Sequence, residues 1–142
     1  MDDNYDIVVV GAGEQSYYLI PHEPWLRHSL HLGWYGLAAA KAVSQLMPDK
    51  TLAVLEEAET PGGTWSKNRL YPGLKSNNMV GTYEYPDFPM LESIYGVKPD
   101  NHIPGRTLNR YLTDFAHHFG FFDKIHFHTK VAIVEPSGES WK

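Results

Sequence analysis

The run Asp6-Ile7-Val8-Val9-Val10 into Gly11-Ala12-Gly13 constrains this chain more than any other feature. A β-branched run that stops on Gly-x-Gly predicts a parallel strand buried on both faces, followed by a turn made of glycine backbone. A second run, Thr51-Leu52-Ala53-Val54-Leu55, ends at Glu56-Glu57. Between them, Trp34 to Leu46 carries Leu37, Ala38, Ala39, Ala40, Ala42, Val43 and Leu46, which predicts a helix small enough on one side to lie close to a sheet. Strand, helix, strand is the right-handed crossover unit, so the fold class expected is α/β, Rossmann-like, with a parallel sheet.

The glycine turn is interrupted. A dinucleotide fingerprint needs a first glycine for the tight turn, a second to let a pyrophosphate approach the backbone, and a third for close helix packing. Here Gly13 is followed by Glu14-Gln15-Ser16, and no third glycine stands at the required place. The stretch Glu14 to Gly33 contains Pro21, Pro24 and three His without a sustained period of two or 3.6. Taking those twenty residues out gives VVVGAG-WYGLAAAKAV, in which Gly11, Gly13 and Gly36 complete the fingerprint. The acid that binds a ribose hydroxyl should follow the glycines by about 20 residues. Gly13 to Glu56 is 43 residues as written and 43 − 20 = 23 after the removal. One deletion repairs both spacings, so residues 14–33 are read as an insertion splitting the turn. Closing such a loop costs only about 2 to 3 kcal/mol. Convergence of strand end and helix start on one phosphate is the larger problem, and weak or absent dinucleotide binding is the expectation. Codons for Gly13-Glu14 and Leu32-Gly33 are compatible with splice-donor and splice-acceptor sequences, which fits a retained intron.

Composition narrows the function classes. In 142 residues, 12 Lys+Arg against 17 Asp+Glu give a net charge of −5, with basic residues scattered singly. No positive stripe is offered to nucleic acid or an anionic membrane. With no Cys there is no disulfide scaffold, thiolate nucleophile or Cys-type zinc site. No apolar run approaches the roughly 20 residues needed to span a bilayer. The acidic start, Met1 to Asp6, is unlike a secretory signal, so the default placement is soluble and cytoplasmic.

Downstream, Pro61 to Pro104 is rich in Gly, Pro, Asn and Tyr with no long regular element evident. Leu108, Tyr111, Leu112, Phe115 and Phe119 then predict an amphipathic helix over 107–119, ended by Gly120. Lys124 to Val134 predicts one or two strands. His117-His118 and the pair His126 and His128, which would share one strand face, lack a carboxylate partner at fixed spacing, so no metal site is assigned.

Three further motifs follow the acid: Gly62-Gly63-Thr64-Trp65, then Asn68-Arg69-Leu70-Tyr71-Pro72-Gly73-Leu74-Lys75-Ser76-Asn77-Asn78, then Tyr85-Pro86-Asp87-Phe88-Pro89. With these the chain resembles the N-terminal part of flavin-dependent monooxygenases, the class of the flavin-containing and Baeyer-Villiger monooxygenases, in a fungal or microbial form. The resemblance covers residues 5–13 and 34–142. It implies FAD as cofactor, with Gly11, Gly13 and Gly36 on the pyrophosphate, Glu56 on the adenosine ribose, Gly63, Thr64 and Trp65 lining the FAD, and the stretch Thr129 to Val131 near the adenine. Ser76, Asn77 and Asn78 match the stretch beside the isoalloxazine and nicotinamide. There Asn77, the one catalytic candidate, offers an amide donor without adding charge. Baeyer-Villiger enzymes usually place Asp at this point, so Asn77 favours N- or S-oxygenation of a small-molecule substrate. A plain turn role for Asn77 after Gly73 stays open.

Relative to the family, the second glycine fingerprint, for NADPH, and the FxGxxxHxxx-type motif are not found in these 142 residues. The expectation is therefore an incomplete FAD-binding domain that is inactive alone. Two alternatives stand beside it: a fragment that holds no cofactor, and the start of another FAD or NAD oxidoreductase.

Overall fold

A computed structural model describes residues 4–11, 17–19 (backbone), 33–138 and 140–141. Strand β1 (Ile7–Val10) and strand β3 (Leu52–Leu55) lie parallel, in the register Ile7 to Leu52 and Val10 to Leu55. Helix α1 (Trp34–Leu46) connects to β3 and packs on both strands, as the crossover reading requires. Strand β6 (Ile125–His126) adds in parallel on the other side of β3. The parallel order β1-β3-β6 is the 1-2-3 order found in one half of doubly wound α/β sheets.

Within residues 14–33, strand β2 (Tyr17–Leu19) pairs antiparallel with the free edge of β1, Val10 opposite Tyr17 and Val8 opposite Leu19. No strand was expected there. A three-residue stretch is too short to show a period, and its pairing comes from the open edge it meets. Gly13, the second glycine of the fingerprint, lies outside the described residues.

Two strand expectations need correction. β1 is not buried on both faces: Val9 is fully covered while Ile7, Val8 and Val10 are half-buried, whereas Leu52, Ala53 and Val54 of β3 are all buried. β3 is the strand flanked on both sides by parallel neighbours and is accordingly the covered one. Residues 124–134 do not form long strands either. β6 ends at His126, and His128 has a φ of 56°, so His126 and His128 share no strand face.

The expected irregular region 61–104 contains a small second sheet. Strand β4 (Lys75–Met79) pairs antiparallel with β5 (His102–Pro104) through an irregular register, and a one-turn helix α2 (Glu92–Tyr95) lies between them. Helix α3 (Gly105–His118) is the expected amphipathic helix and packs against α1. Its Leu108, Tyr111, Leu112, Phe115 and Ala116 are all fully covered. Each large side chain among them contributes about 1.5 to 3 kcal/mol of burial. Gly120 ends the helix region at a φ of 70°. A hairpin of β7 (Pro136–Ser137) and β8 (Ser140–Trp141) closes the described chain. Among the described residues, no helix is long and apolar enough to cross a membrane, and no cluster of three metal-ligating side chains occurs.

Candidate functional site

The carboxyl ends of β1 and β3 carry the first elements. Because Val10 pairs with Leu55, Gly11 lies alongside Glu56 at one end of the sheet. Gly11 has a φ of 84°, open to glycine, and its amide donates to the Leu55 carbonyl. Gly36 is buried in the first turn of α1. The crossover is therefore present, and the end of β1 and the acid stand side by side although Leu55 follows Gly11 by 44 residues in the sequence.

Glu56 is neither a solvated end-of-strand acid nor a loose one: it is 5% exposed. Its Oε1 accepts the Ala58 amide at 2.7 Å. Its backbone is fixed from the other side, the amide donating to His126 O at 3.0 Å and the carbonyl accepting Thr129 N at 2.8 Å. That second bond lays the segment after β6 beside Glu56. Val131, expected near an adenine, follows two residues later, half-buried and outside any strand.

The Gly62-Gly63 pair makes the turn after the acid, with φ values of 120° and 56°. Both are in the left-handed half of backbone space, which explains two consecutive glycines. A Cβ on Gly62 would also stand 3.3 Å from Leu112 Cδ1. The short 3-10 turn Gly63–Trp65 follows, with Thr64 exposed and Trp65 buried. Sequence reasoning missed the partners that fix this turn. Asn109 of α3 donates from Nδ2 to Thr60 Oγ1 and to Pro61 O, both at 3.0 Å. Thr60 Oγ1 also accepts Lys67 N at 2.9 Å.

The Tyr-Pro-Asp-Phe-Pro run is a clamp between α1 and α3. Tyr85 donates to the Trp34 carbonyl at 2.5 Å, and its amide donates to Tyr111 Oη at 2.7 Å. Tyr111 in turn donates to Phe88 O at 2.5 Å. Asp87 pairs with Lys41 of α1, which lies over the Phe119 ring at 4.4 Å. Burial first, then the neighbouring Tyr111, Tyr83 and Asp87, holds the Tyr85 phenol well above the usual range. Burial likewise raises Tyr111. The Lys41 hydrogen bond keeps the Asp87 carboxyl below its ordinary value.

Ser76 is buried and internally committed: its Oγ donates to Asn78 O and accepts Ile103 N at 3.0 Å, while His102 Nδ1 donates to Ser76 O at 2.9 Å. These bonds seal the irregular β4–β5 pairing. Asn77 and Asn78 are exposed on β4. The structure therefore brings Gly11 and Glu56 to one sheet end with Thr129 beside Glu56, places Gly36 buried in the first turn of α1, and sets Trp65 close by the start of α1 through Tyr83. Ser76, Asn77 and Asn78 sit in the second sheet.

Fold and site together define an α/β unit in which helix α1 packs on two parallel strands, with Gly11 at the end of the first and Glu56 at the end of the second. By sequence the chain is a relative of the FAD-dependent monooxygenases. It is 38% identical over 130 residues to an FAD-dependent monooxygenase of Pyrenophora dematioidea, covering 92% of this chain and 20% of that protein. An FAD-dependent monooxygenase of Aspergillus nomiae is 36% identical over 130 residues, covering 92% and 19%. Among solved structures, oxidized steroid monooxygenase bound to NADP superposes with a TM-score of 0.62 at 27% identity, covering 92% of this chain and 20% of that one. The chain thus spans about one-fifth of the length of these relatives. No family model matches it.

Proposed function

We propose that this chain is the FAD-binding portion of an NADPH-dependent flavin monooxygenase acting on a small molecule. One observation carries the reading: Gly11 and Glu56 lie side by side at the carboxyl ends of β1 and β3, where α/β sheets bind dinucleotides. Gly11, Gly13 and Gly36 would hold the pyrophosphate, Glu56 the ribose, Val131 the adenine side, and Gly63, Thr64 and Trp65 the flavin side. Gly36, buried in the first turn of α1, is consistent with this fit, since a helix N-terminus is where a pyrophosphate would be held.

When bound, FAD supplies the electron transfer and oxygen activation that no side chain here can perform. The residues of this chain orient it, with Glu56 held by the Ala58 amide and Trp65 held by Tyr83. Asn77 and Asn78, exposed on β4, would offer uncharged amides beside the reacting ring, with the buried Ser76 fixing the strand through its bonds to Asn78 and Ile103. Asn77 in place of Asp is the reason to favour N- or S-oxygenation over ketone-to-ester insertion. The 142 residues hold a single glycine fingerprint, so NADPH oxidation by this chain alone is not expected.

The β2–β1 pairing favours a second reading, a chain that binds no cofactor. After Gly11 the backbone returns along β1 before it reaches α1, so residues 14–33 interrupt the phosphate turn. FAD titration, followed by quenching of flavin fluorescence, separates the two. The expected result is weak binding by the full chain and tighter binding once residues 14–33 are deleted, with Glu56→Gln in the deleted form weakening it again. If the folded deletion form ignores FAD, the flavin reading is wrong.

A further inference from the structure

A continuous line of electron-rich rings crosses the molecule from Trp65, beside the glycine pair, to the buried Tyr95, which adjoins the partly exposed Asp114. Trp65 and Tyr83 have ring centroids 6.5 Å apart, and Tyr83 and Trp34 4.4 Å. Trp34 and Tyr111 are 5.6 Å apart, and Tyr111 and Tyr95 5.4 Å. We propose that Trp65, Trp34 and Tyr95 form a one-electron relay that carries an oxidising equivalent away from the Gly62-Gly63 end and leaves it on Tyr95, whose proton passes to Asp114. The oxidant is of the reactive-oxygen class formed beside a bound flavin, so its origin rests on the flavin reading.

Proton chemistry decides where the hole can stop. A phenol yields an electron readily only when its proton has somewhere to go. Tyr85 donates its hydroxyl proton to the Trp34 carbonyl and Tyr111 to the Phe88 carbonyl, and an amide oxygen does not take that proton up. Tyr111 is therefore a bridge and not a stop. Tyr95 differs, because its hydroxyl donates to Asp114 Oδ2 at 3.3 Å. Asp114 is 38% exposed and can pass a proton to water. Arg110 meets both groups, with its Nε 3.5 Å from Asp114 Oδ2 and its guanidinium 5.5 Å from the Tyr95 ring.

The indoles suit the intermediate positions. The Trp34 Nε1 is buried and meets no acceptor among the described residues, so an oxidised Trp34 keeps its proton and remains able to take an electron from the next ring. Trp65 Nε1 donates to Tyr83 Oη at 3.1 Å, and a phenol oxygen is a poor base. The balance is simple. The oxidant gains one electron, Tyr95 loses one, its phenolic proton moves to Asp114 and then to solvent, and a neutral phenoxyl radical is left for a solution reductant to quench.

Pulse radiolysis with the azide radical, which oxidises indole rings, tests the relay without any cofactor. The chain has four Trp, so replacing Trp25 and Trp141 by Phe leaves Trp34 and Trp65 as the entry points. The expected result is an indole radical that converts within one molecule to a phenoxyl radical. Tyr95→Phe should abolish that product, and Asp114→Asn should slow the conversion and remove its solvent deuterium effect. Circular dichroism identifies variants that keep the fold, and the partly exposed Asp114→Asn keeps the test valid if the buried Tyr95→Phe does not fold. Phenoxyl formation in Tyr95→Phe at the parent rate, or none in the parent, overturns the relay. A chain that shows the conversion but binds no FAD retains the relay and loses the flavin reading.

Discussion

The Tyr85 hydroxyl donates to the Trp34 carbonyl at 2.5 Å, tying the Tyr-Pro-Asp-Phe-Pro loop to the first residue of α1. Tyr85→Phe should cost about 1 to 2 kcal/mol in urea denaturation at neutral pH. The pH dependence is more specific. The folded phenol titrates above its unfolded value, so the folded state binds more protons once the unfolded tyrosine ionises. Tyr85 contributes no slope below about pH 10, and stability then falls as pH rises further. Tyr85→Phe should make that fall shallower by about 1.4 kcal/mol per pH unit. Equal alkaline slopes in parent and variant would remove this account.

Asp87 and Lys41 make the second tie between the same loop and α1. Asp87 is 52% exposed, so the pair is screened and Asp87→Asn should cost no more than about 1 kcal/mol, less in high salt. The folded carboxyl pKa is lowered, and the contribution is therefore present above the unfolded value of about 3.9 and lost as pH falls through the folded one. Thermal melts of parent and variant should converge on acidification. A difference that persists at the acid end would assign the effect to packing.

The elements legible in the sequence were those with a strong local pattern. Trp34 to Leu46 and the α3 face of Leu108, Tyr111, Leu112 and Phe115 have helical spacing, and Val10-Gly11 and Leu55-Glu56 are strand ends marked by composition. The β4–β5 pairing was not legible, because Ser76 seals it through side-chain bonds to Asn78 and Ile103 that have no periodic signature. Within the candidate site, spacing singles out Glu56, but its capture of the Ala58 amide depends on a turn two residues on. Thr60 and Asn109 were missed entirely, since 49 residues separate two polar groups that only the tertiary fold brings together.

Gly62 carries a φ of 120°, and a Cβ there would meet Leu112 Cδ1 and the Trp65 carbonyl carbon at 3.3 Å. Gly62→Ala should therefore cost roughly 1 to 3 kcal/mol through backbone strain. Gly120→Ala is the comparison, because its positive φ of 70° is similarly unfavourable but a Cβ there meets nothing within 4 Å. The Gly62 variant should be the less stable and should also perturb Trp65 fluorescence. Equal losses would mean that the crowding at Leu112 is absorbed without cost.

Asn109 is the polar anchor of the glycine-pair turn, donating to Thr60 Oγ1 and to the carbonyl of the fully buried Pro61. Ser66 Oγ donates to Asn68 Oδ1 at 2.8 Å, so the Thr60 hydroxyl gives its own proton to Ser66, 3.1 Å away, and faces Asn109 as an acceptor. Asn109→Ala removes both donors and should cost about 1 to 3 kcal/mol. Asn109→Asp places a carboxylate against two acceptors and should cost more at neutral pH. That repulsion raises the folded-state pKa of the new acid, so protonation restores one donor and the deficit of Asn109→Asp should shrink as pH falls toward about 4. Asn109→Ala should show no such recovery. Chemical denaturation of both variants across that range checks it, and parallel pH profiles would show that the Asn109 amide does not hold the turn.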